Sequence, residues 1–248
     1  MMAGMDRLRA FLCSLAIACS TFAAAEEAKP LRILFVGNSA TFWTDVPGKL
    51  AKAAAATRRG AAIDSVSFGG FSLEDHWNDG RALKAIEKGW DVVILQQGVS
   101  ALPESRANLV EYAKRFGDPI RKAGAKPALF MVWPLVNEPQ RFPAVIGSYR
   151  AAAKAAGGMV LPAGEAWLRA LAAEPKLKLY SDNFHPNALG GDLVVLTIWK
   201  ALFAPGTPAF AEPDRQALAE ALDLRPAQAA LFFEAAAGAV ESPLAIGE

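Results

Sequence analysis

The sequence predicts an α/β protein, a three-layer α/β/α sandwich built on a five-stranded parallel sheet of flavodoxin-like order 2-1-3-4-5. Five short apolar runs alternate with segments of helical pattern, as in sheets whose parallel strands are joined by helices. The runs at 31–36 and 90–96 are almost continuously apolar, which is typical of strands buried on both faces. Glycine and polar residues follow the first three runs, and open α/β sheets bind ligands at this carboxyl edge.

The first half of the chain contains three of the predicted strands. Apolar runs bounded by glycine or polar residues predict strands, whereas alanine-rich segments with a proline near the start or a glycine at the end predict helices. In chain order we predict a strand at 31–36, a helix at 46–57, a strand at 62–68, a helix at 79–88, a strand at 90–96 and a helix at 104–123.

The second half of the chain adds two strands by the same criteria. One apolar run ends at Pro134, and a shorter one lies between two segments of helical pattern. The last two helices have high helix propensity, and we expect them to pack outside the sheet. The predicted elements are a strand at 127–133, a helix ending at 156, a strand at 159–161, and helices at 164–173, 188–203, 213–222 and 226–240.

Length and charge limit the classes of function. The chain has 248 residues, of which 53% are hydrophobic, enough for a single domain at 26–248 whose C-terminal helices begin near residue 212. Lys and Arg number 26 against 25 Asp and Glu, and no long basic run occurs. Binding to nucleic acid requires a basic surface, so we expect no nucleic-acid partner.

The first 25 residues have the pattern of an export signal. Arg7 and Arg9 precede a short apolar run at 10–18, and an Ala-x-Ala cleavage site lies at 23–25. The apolar run is too short to span a bilayer. We therefore expect cleavage after Ala25 and a periplasmic or secreted protein without a membrane span.

Both cysteines of the chain, Cys13 and Cys19, lie within the predicted export signal. Residues 16–19 loosely resemble a bacterial lipobox, so a lipoprotein anchored at Cys19 is the alternative to a soluble exported form. If cleavage follows Ala25, the mature chain contains no cysteine. Disulfides and cysteine-based metal sites or nucleophiles are then excluded.

The segment Gly37-Asn38-Ser39 follows the first predicted strand. A serine on this turn lies at the carboxyl edge of the sheet, so Ser39 is a candidate nucleophile. The alternative is a simple turn whose serine caps the next helix. This segment alone does not distinguish the two interpretations.

Asp182 and His185 lie three residues apart in a polar loop before the helix at 188–203. A serine nucleophile needs a base that accepts its proton, and the base needs an acceptor that fixes its tautomer. The loop provides both if the carboxylate reaches Nδ1 of the imidazole, and Pro186 stiffens it. The alternative is a solvated loop in which Asn187 caps the helix. Combined with the serine after the first strand, the catalytic interpretation is the better one.

Four segments of the chain resemble those of the SGNH (GDSL-like) hydrolases, a family of serine esterases and lipases. Gly37-Asn38-Ser39 resembles the Gly-Asp-Ser start of the family, in the form found in a Gly-Asn-Ser subgroup. Residues 69–72 resemble the second block, 182–186 the last block, and 162–167 a segment of that subgroup. The resemblance extends over about residues 31–203 and implies the three-layer SGNH-hydrolase fold.

The resemblance also implies a role for each matched residue. Ser39 attacks the ester carbonyl, and His185 accepts its proton and later protonates the leaving alcohol. Asp182 orients His185. The backbone N–H groups of Ser39 and Gly70 hold the oxyanion, and each such donor typically lowers the barrier by about 3 kcal/mol. This mechanism needs no metal and no organic cofactor.

The third block departs from the family pattern. The family has Gly-x-Asn-Asp after the third strand, with the Asn amide as a further oxyanion donor, whereas this chain reads Gln96-Gln97-Gly98-Val99-Ser100. Aligned on the glycine, Ser100 takes the place of the Asn. Gln97 carries the same amide donor and is our preferred candidate. Spacing and composition leave both residues open.

The remaining candidates have simpler interpretations. His76 lies among acidic residues, but two histidines and a mature chain without cysteine do not support a structural zinc site. We expect His76 to be packed or solvated, near the cleft. Trp43, Trp77 and Trp133 lie near strand ends, where their rings would suit a sugar or pack in the core. The Gly-x-Ser-x-Gly elbow of the α/β-hydrolases is absent from the sequence.

These observations predict an exported SGNH-type carboxylic ester hydrolase. We expect it to act on a small-molecule or carbohydrate ester through a Ser39 acyl-enzyme, with carbohydrate O-acetyl groups and small acyl esters as the substrate classes. The altered third block supports one alternative, a glycan-binding envelope protein on the same fold with weak or no activity.

Overall fold

The computed structural model describes residues 29–246, so the predicted export signal at 1–25, with Cys13 and Cys19, lies outside the described residues. Five parallel strands form one sheet: β1 (Leu31–Gly37), β2 (Ala61–Ser67), β3 (Val92–Leu95), β4 (Lys126–Phe130) and β5 (Met159–Leu161). Their order in the sheet is β2-β1-β3-β4-β5, which confirms the predicted flavodoxin-like order.

Helices connect the strands and cover both faces of the sheet. Those before β4 are α1 (Ser39–Phe42), α2 (Val46–Ala56), α3 (Leu73–Asp79), α4 (Arg81–Ile86) and α5 (Pro103–Lys122). After β4, a 3₁₀ turn at Pro139–Arg141 precedes α6 (Phe142–Ala156), and then follow α7 (Ala163–Ala173), α8 (Ala188–Phe203), α9 (Glu212–Ala221) and α10 (Pro226–Glu241).

Alternate side chains of the central strands enter two cores, one on each face of the sheet. In β1, Ile33 and Phe35 pack towards α2 and α7–α10, whereas Leu34 and Val36 pack towards α3–α6. All four side chains are fully buried. Successive residues of a strand point to opposite faces, so burial on both faces produces the nearly continuous apolar run seen in the sequence.

The sequence pattern did not predict α3, which begins directly after the glycine-rich loop that follows β2. Ser72 caps this helix in a capping box: its Oγ accepts from the Asp75 N–H at 3.2 Å, and the Asp75 carboxylate accepts from the Ser72 N–H at 2.8 Å. The helix expected at 79–88 therefore begins later. Gly80, with φ of +81°, ends α3 and separates it from α4.

The last two helices pack on other helices rather than on the strands. α10 lies against α7 and α8, and its Phe232 and Phe233 enter the same core as α8. The buried ammonium group of Lys200 pairs with Glu241 at 2.6 Å, which ties α8 to the end of α10. None of the helices within residues 29–246 has the length and apolar character needed to cross a bilayer.

Candidate active site

The carboxyl edge of the sheet forms an open crevice of about 690 Å³. The ends of β1 and β3, the loop after β2 and the loop before α8 meet there. Five of the six predicted site residues line it: Ser39, Gly70, Gln97, Ser100 and His185. The sixth, Asp182, lies behind His185 and contacts its ring.

Ser39 is held by the turn that leaves β1. Asn38 caps the one-turn helix α1, and its Oδ1 accepts a hydrogen bond from the Ala40 N–H at 3.1 Å. Ser39 is the first residue of that helix, so its side chain stands at the carboxyl end of a central strand. This turn does begin a helix, as in the alternative interpretation, but Asn38 rather than Ser39 caps that helix. The Ser39 hydroxyl is left for contacts across the crevice.

Gln96, the residue after β3, fixes this turn from behind. Its Oε1 accepts from the Asn38 N–H at 2.8 Å and from Thr41 Oγ1 at 2.9 Å, and its Nε2 donates to Asn38 Oδ1 at 3.0 Å. A Cβ atom at Gly37 would lie only 2.6 Å from Gln96 Oε1. Glycine at this position therefore makes room for the buried amide that holds the turn of Ser39.

Asp182 closes the loop that carries the candidate base. Its Oδ1 accepts from the N–H groups of Phe184 and His185 at 2.7 and 2.6 Å, and its Oδ2 accepts from His185 Nδ1 at 2.6 Å. These hydrogen bonds, that of the Phe184 N–H first, lower the pKa of Asp182 to about 2. The carboxylate is therefore ionised at neutral pH, although 48% of its side chain is exposed.

Ser39 and His185 meet across the crevice, with Oγ and Nε2 2.9 Å apart. Because the ionised Asp182 accepts from Nδ1, the neutral ring carries its proton on Nδ1. Nε2 is then the acceptor, and the Ser39 hydroxyl donates to it. The three side chains form a continuous hydrogen-bonded chain from hydroxyl to imidazole to carboxylate.

A buried aromatic pair supports the loop of Asp182 and His185. The indole Nε1 of Trp133 donates to the Phe184 carbonyl at 3.0 Å. Its ring stacks on Trp167 with centroids 3.7 Å apart, and both rings are fully buried. The loop is thus attached to the core of the protein, although its carboxylate faces water.

Ser39 and Gly70, whose backbone N–H groups are the expected oxyanion donors, both line the crevice. Within residues 29–246, neither the Ser39 N–H nor the Gly70 N–H has a hydrogen-bond acceptor. Gly70 has φ of +77°, a left-handed conformation that favours glycine. Both N–H groups are therefore available to a ligand oxygen.

Gln97 and Ser100 are hydrogen-bonded to each other. The Gln97 Oε1 accepts from the Leu73 N–H at 3.0 Å, and its Nε2 donates to Ser100 Oγ at 3.0 Å. Ser100 Oγ in turn donates to the Gly98 carbonyl at 3.1 Å, which uses its single proton. A primary amide has two N–H bonds, so Gln97 retains a second donor. Of these two residues, Gln97 is the one with a donor to offer a ligand.

Tyr149 of α6 braces the same loop from the core. Its hydroxyl lies 2.5 Å from the Gln97 carbonyl and 2.9 Å from the Gly98 carbonyl, and the side chain is fully buried. Burial raises the pKa of the Tyr149 phenol far above its ordinary range, so it remains a donor. It holds in place the backbone from which the Gln97 side chain extends.

His76 is packed behind β1, one of the two environments that we expected for it. The ring is fully buried, and Nε2 donates to the Gly37 carbonyl at 2.8 Å. Its Nδ1 has no hydrogen-bond partner in the part of the chain that the structure describes. Burial lowers the pKa of His76, so the ring is neutral at physiological pH.

The three tryptophans near the strand ends occupy different environments. Trp133 is fully buried, and Trp77 packs edge-on against Phe116. Trp43 is 51% exposed and stacks on the His185 imidazole. Core packing therefore accounts for Trp133 and Trp77, and Trp43 alone of the three presents its ring at the site.

Sequence reasoning missed Gln96 and Tyr149 as supports of the site, and it did not pair Trp43 with His185. One signal for Gln96 was present, because a polar side chain at the end of an otherwise apolar buried strand needs hydrogen-bond partners. Tyr149 lies in the middle of a helical pattern, and nothing in the sequence links it to the loop after β3.

No protein-family model and no curated protein sequence matches the chain significantly. Solved structures do resemble it. One is a protein proposed to be an SGNH hydrolase from Slackia heliotrinireducens, with 21% identity and a TM-score of 0.56 over 68% of this chain and 96% of that one. TesA has 20% identity and a TM-score of 0.53, over 69% of this chain and 98% of its own.

A third similar structure is a catalytic mutant of Axe2, an acetylxylan esterase from Geobacillus stearothermophilus. It has 12% identity and a TM-score of 0.52, over 71% of this chain and 95% of that one. At such identities, the likeness is one of fold. The five-stranded parallel sheet, covered by helices on both faces, agrees with these structures. The protein therefore has the α/β/α fold of the SGNH (GDSL-like) hydrolases.

Proposed function

We propose that this protein is an exported serine hydrolase that cleaves a carboxylic ester through Ser39, His185 and Asp182. The observation that carries the proposal is the chain of hydrogen bonds from Ser39 Oγ to His185 Nε2 at 2.9 Å and from Nδ1 to Asp182 Oδ2 at 2.6 Å. The esterases among the similar structures support ester hydrolysis in general. Export rests on the sequence pattern at 1–25.

In the first half-reaction, Ser39 Oγ attacks the carbonyl carbon while its proton passes to His185 Nε2. The bond from this carbon to the alcohol oxygen then breaks, and the His185 imidazolium gives the proton to the departing oxygen. Asp182 stays ionised, orients the ring and stabilises its positive charge. The products are the free alcohol and an acyl ester on Ser39.

In the second half-reaction, water takes the place of the alcohol. His185 accepts a proton from the water as its oxygen attacks the acyl carbon. The bond to Ser39 Oγ then breaks, and the imidazolium returns the proton to that oxygen. The acid leaves, and the hydroxyl and the neutral imidazole are restored.

Negative charge develops on the carbonyl oxygen in both half-reactions. The N–H groups of Ser39 and Gly70 and the second amide N–H of Gln97 are the proposed donors to this oxygen. Removal of one such donor typically lowers kcat by about 10²- to 10³-fold. Ser100 acts indirectly in this proposal, since its hydroxyl accepts from Gln97 and donates to the backbone.

The polar side chains that line the crevice favour an ester of a polar alcohol. The crevice is open, and hydroxyl and amide side chains such as Ser72, Ser105 and Asn108 line it together with the proposed catalytic residues. Hydroxyl and amide groups bind carbohydrate hydroxyls. We therefore propose carbohydrate O-acetyl groups as substrates, with small acyl esters as the alternative. The acetylxylan esterase among the similar structures is consistent with this choice.

The second candidate function is glycan binding without catalysis. The hydrogen bond between Gln97 Nε2 and Ser100 Oγ favours it, because it directs one amide N–H to Ser100 rather than to the oxyanion. The oxyanion would then depend on the two backbone N–H groups alone. The intact arrangement of Ser39, His185 and Asp182 favours the hydrolase.

Hydrolysis of p-nitrophenyl acetate by wild type and by Ser39→Ala tests the proposal. We expect the wild-type rate to exceed that of the variant at least about 10³-fold, because the variant cannot form the acyl-enzyme. Ser242→Ala, at a serine beyond α10, is the matched control and should retain the wild-type rate. Equal rates for wild type and Ser39→Ala would favour the binding protein. Release of acetate from an acetylated xylo-oligosaccharide then separates carbohydrate substrates from small acyl esters.

A further inference from the structure

Trp43 touches the proposed base, although the mechanism above does not use it. Its indole ring lies nearly parallel to the His185 imidazole, with centroids 4.1 Å apart and planes inclined by 19°. Half of the residue is exposed, so the ring is not part of the core. Large aromatic side chains usually contribute to stability by burial, which is only partial here, and the contact that distinguishes Trp43 is the one with the imidazole.

Trp43 directly follows α1 as its C-cap and lies one helical turn from Ser39. The Trp43 N–H donates to the Ser39 carbonyl at 2.8 Å, and residues four apart lie on the same side of a helix. The short helix therefore contacts the His185 ring at two points. Ser39 Oγ meets Nε2 in the plane of the ring, and Trp43 covers one face.

The charged groups around His185 are few. Asp182 faces the ring and accepts from Nδ1 in the ring plane. Of the described residues that line the crevice, none besides His185 is acidic or basic. Phe184 contacts the ring edge-on, with centroids 5.5 Å apart. The face of the imidazole beneath Trp43 therefore meets π electrons rather than another charge.

We infer that Trp43 is a positioning residue that holds the His185 ring against Ser39 and stabilises its imidazolium form. The electron-rich face of an aromatic ring attracts a cation, and among aromatic side chains the indole does so most strongly. His185 becomes a cation in both half-reactions, so the contact strengthens when the proton arrives. This inference rests on the proposed function, but its first test does not depend on activity.

The two histidines of the chain can be followed by proton NMR, with buried His76 as an internal reference. In Trp43→Leu we expect the titration midpoint of His185 to fall by about 0.4–0.7 pH unit, because the imidazolium loses the ring that stabilises it. In Trp43→Phe the midpoint should fall by about half as much. This variant provides the test if circular dichroism shows that Trp43→Leu is unfolded. A midpoint that is unchanged or higher without the indole overturns the inference.

Kinetics provide the second measurement. In Trp43→Leu, kcat/KM for p-nitrophenyl acetate should fall about two- to fivefold, and the acidic limb of the pH–rate profile should move to lower pH with the NMR midpoint. Phe42→Leu is the matched control, because this neighbouring ring is 44% exposed and, in the described part of the chain, makes no ring contact with His185. It should leave both readouts unchanged.

The kinetic result also distinguishes the positioning role from substrate binding by Trp43 and from failure of the proposed function. A higher KM with an unchanged His185 titration would make Trp43 a platform for substrate and contradict the positioning role. If the wild type hydrolyses no ester at all, the proposed function fails. The NMR shift in Trp43→Leu still decides whether the indole stabilises the imidazolium.

Discussion

The two halves of the candidate site are built in different ways. The nucleophile half, which comprises the end of β1, the residues Asn38, Ser39 and Thr41 after it, and Gln96, is tied by buried hydrogen bonds to the centre of the sheet. The base half, the loop 180–187, lies at the surface and is closed by hydrogen bonds between Asp182 and its own near neighbours. Its carboxylate is 48% exposed.

This difference predicts which substitutions should lower both the rate and the free energy of unfolding, and which should lower mainly the rate. A change in the nucleophile half leaves buried polar groups without partners, so it should lower both the free energy of unfolding and the rate. A change at the exposed carboxylate of the base half disturbs the imidazole but little of the core. It should lower the rate far more than the free energy of unfolding.

Asp182→Asn should show the largest loss of rate relative to its loss of stability. We expect kcat for p-nitrophenyl acetate to fall about 10²- to 10⁴-fold, because the neutral amide neither fixes the His185 tautomer nor stabilises the imidazolium. The free energy of unfolding in urea should fall by less than in Gln96→Leu, because the amide oxygen of Asn can still accept from the Phe184 and His185 N–H groups. Asp118→Asn, at an exposed carboxylate on α5, is the control. Equal rates for Asp182→Asn and wild type would contradict the role of the carboxylate.

Gln97→Ala tests the proposed oxyanion donor in the loop after β3, which lies between the two halves. Loss of its second amide N–H should lower kcat about 100-fold, as expected for an oxyanion donor. In Ser100→Ala, kcat should fall less than about fivefold, because the hydroxyl proton of Ser100 is donated to the Gly98 carbonyl and not to the ligand. Both are compared on p-nitrophenyl acetate at saturation. A larger loss in Ser100→Ala would assign the donor to the serine instead.

Gln96→Leu breaks the nucleophile half. The buried Asn38 N–H and the Thr41 hydroxyl lose their partner, and Asn38 Oδ1 keeps only the Ala40 N–H, so the free energy of unfolding should fall by about 2–3 kcal/mol. We expect kcat to fall about tenfold as the turn that carries Ser39 relaxes. Urea unfolding and kcat are measured together. Gln216→Leu, at an exposed glutamine on α9, is the control and should change neither the free energy of unfolding nor kcat. A Gln96→Leu variant that is as stable as the wild type but inactive would contradict the difference between the two halves.

His76 should give the smallest effect, visible only as a dependence on pH. Burial lowers its pKa in the folded state, so below about pH 6.5 the unfolded chain binds more protons. Wild-type stability should therefore fall as the pH drops from 7 to 5, by up to about 1.4 kcal/mol per pH unit from this group. His76→Gln, which keeps an N–H for the Gly37 carbonyl, should flatten that slope in urea unfolding. An identical slope in both proteins would contradict the assignment.

The fold was largely predictable because burial on both faces leaves a strong pattern. The bounds of β5 and α8 agree with the predicted ranges, since glycine or proline lies near both ends of each apolar run: Gly158 and Pro162 for β5, and Pro186 and Pro205 for α8. α3 was missed because it has seven residues, and only Leu73 and His76 of them are buried. Two buried positions do not establish a helical period.

The site was predictable where short motifs carry it and not where distant residues meet. Asp182 and His185 are three residues apart, and Ser39 ends a clear strand. Gln96 instead bonds a residue 58 positions away, and Tyr149 bonds one 52 positions away. Such contacts depend on how the strands and helices pack, which local sequence patterns do not contain.

Covalent labelling with a fluorophosphonate tests the central claim most directly, because the reagent reacts much faster with a serine that a neighbouring base activates than with an ordinary serine. Mass spectrometry of the digested wild type should place one adduct on Ser39, and His185→Ala should react far more slowly while remaining folded. An unlabelled Ser39 in the wild type, or equal labelling in wild type and His185→Ala, would contradict the proposed roles of Ser39 and His185.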